Sequence, residues 1–132
     1  VSTVTRIDRP DASVVVPPNP RAWTSVCALE QLEPLWGEAA LIDGQQLALV
    51  LLPHGHLYAV TNEDPATGSF VMSRGIVGSR GDRHTIASPL HKQVYDLETG
   101  HCFTTAEYAL RTFPVRVEAG LVQVRLDAGR TG

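Results

Sequence analysis

Apolar and polar positions alternate in short runs broken by turn residues, and no stretch holds a long 3.6-residue period. That pattern predicts a small all-β domain. Trp23 to Ala28 alternates as a first strand, and Leu29 to Trp36 reads as a helical turn or irregular connection because Pro34 interrupts it. Glu38 to Ile42 and Gln45 to Leu52 are apolar runs joined by Asp43-Gly44, a dipeptide whose tolerance of positive φ suits a two-residue hairpin turn. Pro53-His54-Gly55-His56 predicts a second turn, with a strand over Leu57 to Thr61 beyond it. The chain closes with a hairpin, Pro114 to Glu118 and Leu121 to Leu126 about Ala119-Gly120, in which Val115, Val117, Val122 and Val124 share a face.

Alternation is absent from Asn62 to His84 and resumes at Thr85 to Ala87, so the intervening stretch is expected to be irregular. Loops of such length in compact domains tend to be functional or disordered. Phe70, Val71, Met72, Ile76 and Val77 offer apolar anchors, and Gly68, Gly75, Gly78 and Gly81 supply bends, which argues for order. Upstream, Val14-Val15-Val16-Pro17-Pro18-Asn19-Pro20 removes backbone donors and favours extended geometry. Residues 1–21 are expected to be a flexible Pro-rich tail, the alternative being an arm laid across a partner; 22–127 form the domain and 128–132 fray.

The 132 residues suffice for one domain and its core, not two. With 11 basic against 14 acidic side chains the formal net charge is -3, which gives no electrostatic case for nucleic acid or an anionic membrane surface. No apolar run approaches the ~18 residues of a membrane span, and Val14 to Val16 is too short for a signal sequence; a cytoplasmic location is the expectation. The two cysteines, Cys27 and Cys102, are widely separated with no C-x-x-C, and read as buried apolar thiols. His101 and Cys102 are neighbours on one strand and point to opposite faces, which argues against a nucleophilic pair.

Two segments carry the chemistry. Tyr58 to Ala66 is a strand leading into Asn62-Glu63-Asp64-Pro65-Ala66, and Ser88-Pro89-Leu90-His91 opens a run that ends at Gly100. Together they resemble the two ligand loops of a Rieske iron–sulfur centre, which supply Cys-x-His and Cys-x-x-His. Here Asp64, Ala66 and Ser88 stand at three of the ligand positions and His91 alone survives. Sulfide-bridged iron needs thiolate donors, and a carboxylate, a methyl and a hydroxyl do not replace them. The expectation is a Rieske-like fold of small antiparallel sheets with a degenerate cluster site, holding no metal and no catalytic residue.

Val71-Met72-Ser73-Arg74-Gly75-Ile76-Val77-Gly78, then Ala87-Ser88-Pro89-Leu90-His91-Lys92-Gln93, then Leu97-x-x-Gly100-x-Cys102, resemble the small subunit of the NAD(P)H-dependent nitrite reductase from about Trp23 to Leu126. The resemblance implies a non-redox subunit that assembles with a large subunit carrying FAD, siroheme and an Fe-S centre, in the reduction of nitrite to ammonium for nitrate and nitrite assimilation. Cofactors would then all lie on the large subunit. The residues agree, since Gly75, Gly78 and Gly81 recur every third position rather than as the G-x-G-x-x-G that cradles NAD(P)H. The alternative is a free-standing cluster-less Rieske-like binding or regulatory module.

His91 invites a mononuclear metal site with Asp64 and His84 or His101, but the preferred reading is that His91 and Ser88 hydrogen-bond backbone groups where a cluster would sit. Arg74, Arg80, Arg83 and Lys92 place positive charge on the loops at that end, and are expected to dock the large subunit; solvated loops and steering of nitrite are the alternatives. His54 and His56 read as a solvated turn, and Trp23, Trp36, Tyr58, Tyr95, Phe103 and Phe113 as core or edge aromatics.

Overall fold

A computed structural model of the chain describes residues 23–90 and 92–126 and the backbone of 130–131. The Pro-rich tail, His91 and the expected fraying at the C-terminus fall on residues outside the described set. The elements are β1 (Thr24–Ala28), a 3-10 turn (Leu29–Gln31), β2 (Glu38–Ile42), β3 (Gln45–Leu51), β4 (Leu57–Thr61), a second 3-10 turn (Met72–Arg74), β5 (Ile76–Arg80), β6 (Arg83–Ala87), β7 (Val94–Asp96), β8 (Arg111–Phe113), β9 (Val115–Glu118), β10 (Leu121–Val124) and β11 (Arg130–Thr131). They form three antiparallel sheets, in the orders β1-β10-β9, β11-β8-β4-β3-β2 and β5-β6-β7.

The five-stranded sheet is the centre of the molecule. Leu47 and Leu49 of β3 pack with Val26, Cys27, Ala40, Ile42, Val122 and Val124 on one face, whereas Ala48 and Val50 pack with Met72, Ile86, Tyr95, Leu97 and Leu110 on the other. Residues 47 to 50 are all fully buried, which explains why β3 reads as a continuous apolar run and not as an alternation. Its hairpin to β2 turns on Asp43 and Gly44 at φ of 50° and 81°, as the dipeptide predicts. Ala119 and Gly120, at 53° and 80°, close the β9–β10 hairpin in the same way. A register shift between Ser25 and Cys27 lets consecutive Val26 and Cys27 both face the core.

The stretch expected to be irregular is shorter than the pattern suggests. Residues 76–84 belong to the β5–β6 hairpin, which turns at Gly81 with φ of 65°. β5 escapes the periodicity because it is an edge strand, mostly exposed on both faces, so nothing forces alternation on Ile76 to Arg80. Among the described residues no helix is long and apolar enough to cross a membrane.

Candidate functional site

The first loop leaves β4 at Asn62 and is pinned from within. The Asn62 carbonyl and side chain accept from the amides of Met72 at 3.0 Å and Ser73 at 2.7 Å, while its Nδ2 donates to Gln46. Met72 is fully buried beneath the second 3-10 turn and anchors it to the core. Two residues beyond Asn62, Asp64 folds the chain around itself, with Oδ1 accepting from the Ala66 amide at 2.8 Å and its carbonyl accepting from the Gly68 amide at 2.7 Å.

The second loop leaves β6 at Ser88, whose amide donates to the Gln93 carbonyl and whose carbonyl accepts from the Lys92 amide. Closing that turn puts Lys92 at φ of 60°. Across the gap between the loops, Ser88 Oγ donates to Asp64 Oδ2 at 2.5 Å, and both residues are fully buried. Ser88 Oγ also accepts from the Leu90 amide at 3.2 Å. The Ser88 hydroxyl thus bonds a backbone group, as expected, and in addition bridges to the Asp64 carboxylate on the facing loop.

These residues do not fit a two-iron cluster. Two of the positions that would reach it from opposite loops are in direct hydrogen-bond contact, and both Asp64 oxygens already have donors. Ala66 offers a methyl, and Cys27 and Cys102 sit in separate cores on opposite faces of the central sheet. Among the described residues, no three His, Cys, Asp or Glu side chains are grouped to hold a metal ion. His84 and His101, weighed as partners of Asp64, lie elsewhere: His84 packs with His56 and Tyr58 at ring separations of 5.4 and 6.2 Å, and His101 meets Phe103 edge-on at 5.2 Å.

The four basic residues do not form one patch, which corrects the placement expected for them. Arg74 ends the second 3-10 turn and Lys92 closes the Ser88 turn, both exposed at the ligand-loop end. Arg80 and Arg83 pair with each other at the opposite end of the β5–β6 ladder, whose near end is the Ile76–Ala87 pair. There Arg80 lies over the Phe103 ring, and Arg83 Nε donates to Asp96 at 2.6 Å with a looser contact to Glu98 at 3.6 Å. Burial pushes the Asp96 carboxyl up, but Arg83 and the Thr99 and Glu98 amides outweigh it and hold the pKa below the ordinary value.

Sequence reasoning missed two features. Tyr95 is fully buried, and its hydroxyl has no hydrogen-bond partner among the described residues; burial first, then the neighbouring Cys102, Asp64 and Tyr108, raise its pKa. Trp36, read as a core or edge aromatic, is 68 % exposed, and Phe70, Ile76 and Leu90 are also at least half exposed. Nothing in the local pattern separates these four from core residues.

The family model for the Rieske-like [2Fe-2S] domain matches residues 22–125. The small subunit of nitrite reductase (NADH) from Escherichia coli is 32 % identical over 104 residues, which are 78 % of this chain and 96 % of that protein. The chain belongs to the nitrite reductase small-subunit family of Rieske-like domains. A crystal structure of a Mycobacterium tuberculosis protein assigned as an NADH-dependent nitrite reductase small subunit superposes with a TM-score of 0.75 at 41 % identity, over 84 % of this chain and 96 % of that one. The Klebsiella oxytoca nitrite reductase [NAD(P)H] large subunit is 35 % identical over 104 residues, 79 % of this chain but 11 % of that protein. A small-subunit-like domain is thus part of that large subunit's own polypeptide.

Proposed function

We propose that this chain is the small, non-redox subunit of a cytoplasmic NAD(P)H-dependent nitrite reductase, acting by assembly with a large subunit that carries FAD, siroheme and the Fe-S centre. The observation that carries the non-redox reading is the Ser88–Asp64 hydrogen bond, which ties together two loops that in a Rieske centre are organised by the cluster. A buried hydrogen bond between the two loops supplies a crosslink at that point. What the chain then offers a partner is a rigid surface, with Arg74 and Lys92 on it for carboxylates of the large subunit.

The test is reconstitution. The large subunit, purified alone, is assayed for nitrite-dependent NAD(P)H oxidation with and without this chain, and the anaerobically purified chain is examined by electron paramagnetic resonance after reduction. Stoichiometric complex formation, with higher or more durable activity and no Rieske signal, is the expected result. A reduced Rieske signal would overturn the non-redox reading, and failure to bind any nitrite reductase large subunit would favour the free-standing module.

A further inference from the structure

We propose that Trp36, Phe70, Ile76 and Leu90, rimmed by Arg74 and Lys92, form one apolar face against which the nitrite reductase large subunit packs. This rests on the assignment of the chain as that enzyme's small subunit. The four side chains are 68, 53, 67 and 50 % exposed, and they come from four separate segments of the sequence.

The fold gathers them around the second 3-10 turn. Gly37 lies so close to Ser73 that a Cβ built on it would stand 2.2 Å from the Ser73 carbonyl oxygen, which sets the neighbouring Trp36 beside that turn. Phe70 leads into the turn and Ile76 follows it directly. Ile76 pairs with Ala87, and Leu90 stands just beyond, in the turn held by Ser88. Beneath this surface Asn62, Asp64, Met72 and Ser88 are buried and bonded to one another's loops, so the face is held in place before any partner arrives. Large apolar side chains exposed together are uncommon on soluble monomers, and Trp and Arg are the residue types that most often carry the binding energy at an interface centre.

Charge selects the occupant. Two copies of this chain meeting face to face would bring Arg74 and Lys92 of both into one interface, with no carboxylate among the residues of the proposed face to pair them. A partner with an apolar surface edged by carboxylates has no such conflict. The Klebsiella oxytoca polypeptide, in which a domain of this kind is tethered to a large subunit, supplies the body that is always at hand.

The experiment measures binding of the full chain to its cognate large subunit by biolayer interferometry, for the wild type and for Trp36→Ala, Ile76→Asp and Val117→Asp. Val117, 41 % exposed on β9, is the control away from this face. Melting temperatures near the wild type's select the variants that have folded. Trp36→Ala and Ile76→Asp are expected to bind at least about tenfold more weakly, as for residues at an interface centre, with Val117→Asp within about twofold. Folded Trp36→Ala and Ile76→Asp proteins that bind like the wild type would overturn the proposed face while leaving the subunit assignment standing. Absence of any wild-type complex would instead overturn that assignment. A concentration-dependent dimer of the wild type that Trp36→Ala abolishes would reassign the face to self-association.

Discussion

Ser88 and Asp64, 24 positions apart in sequence, share a 2.5 Å hydrogen bond in a site closed to solvent. A hydroxyl and a carboxylate from two different loops therefore meet there directly.

Removing one member should be costly. Ser88→Ala strips Asp64 Oδ2 of its donor inside the protein and is expected to lower stability by about 1–3 kcal/mol, the usual range when a buried polar group loses its partner. Urea denaturation measures it. Because the two side chains act as a unit, the Asp64→Ala/Ser88→Ala double variant should lose less than the sum of the single losses. Strict additivity would show that the bond does not couple the loops.

Glycine substitutions should divide sharply. Gly37→Ala and Gly75→Ala would press a methyl to 2.2 Å from the Ser73 oxygen and 2.6 Å from the Ala87 oxygen, both backbone atoms with little room to move. Each is expected to cost about 2 kcal/mol or more. Gly78→Ala meets only Thr85 Oγ1 at 3.5 Å, an ordinary contact, and should leave the midpoint within about 0.5 kcal/mol. Thermal melts of the three proteins check the order.

Asp96 should tie stability to acid. Its folded pKa lies below the unfolded value, so the stability it contributes is present above the unfolded pKa of about 4 and is lost as pH falls through the folded value. The melting temperature of the wild type is expected to drop as pH is lowered from 5 to about 3. Asp96→Asn should be less stable near neutrality and show a shallower drop over the same range. Equal slopes would mean that the Arg83 contact contributes nothing to folding.

Tyr95 should matter at the other end of the scale. With its folded pKa raised, the phenol contributes stability that is complete below the unfolded value of about 10 and declines as pH rises above it. Since the buried hydroxyl bonds to no described residue, Tyr95→Phe is expected to be neutral or to stabilise by up to about 1 kcal/mol at pH 7, and to soften the alkaline decline. A loss above about 1 kcal/mol would reveal a hydrogen-bond partner for that oxygen.

The strands with strong local signals were legible from residue order. β2, β3 and β4 and the closing β9–β10 hairpin follow their apolar runs to within a residue or two, and Asp43-Gly44 and Ala119-Gly120 make the turns their φ preferences require. β5 was not legible, because an edge strand exposed on both faces carries no periodic trace of its pairing with β6. At the candidate site, spacing alone singled out Asp64, Ala66 and Ser88. Their meeting was not legible, and neither was the separation of Arg80 and Arg83 from Arg74 and Lys92 by the length of the β5–β6 ladder.

The sequence by itself determined the all-β class, the principal hairpins and the absence of any Cys-x-His or Cys-x-x-His pair, because these depend on side-chain period, backbone preference and residue identity, all local properties. Only the tertiary structure decided that Ser88 bonds Asp64, that Arg83 is held by Asp96, and that Trp36, Phe70, Ile76 and Leu90 are left exposed. Those outcomes depend on how three sheets stack and in what register their strands pair, and residues distant along the chain carry no local mark of that arrangement.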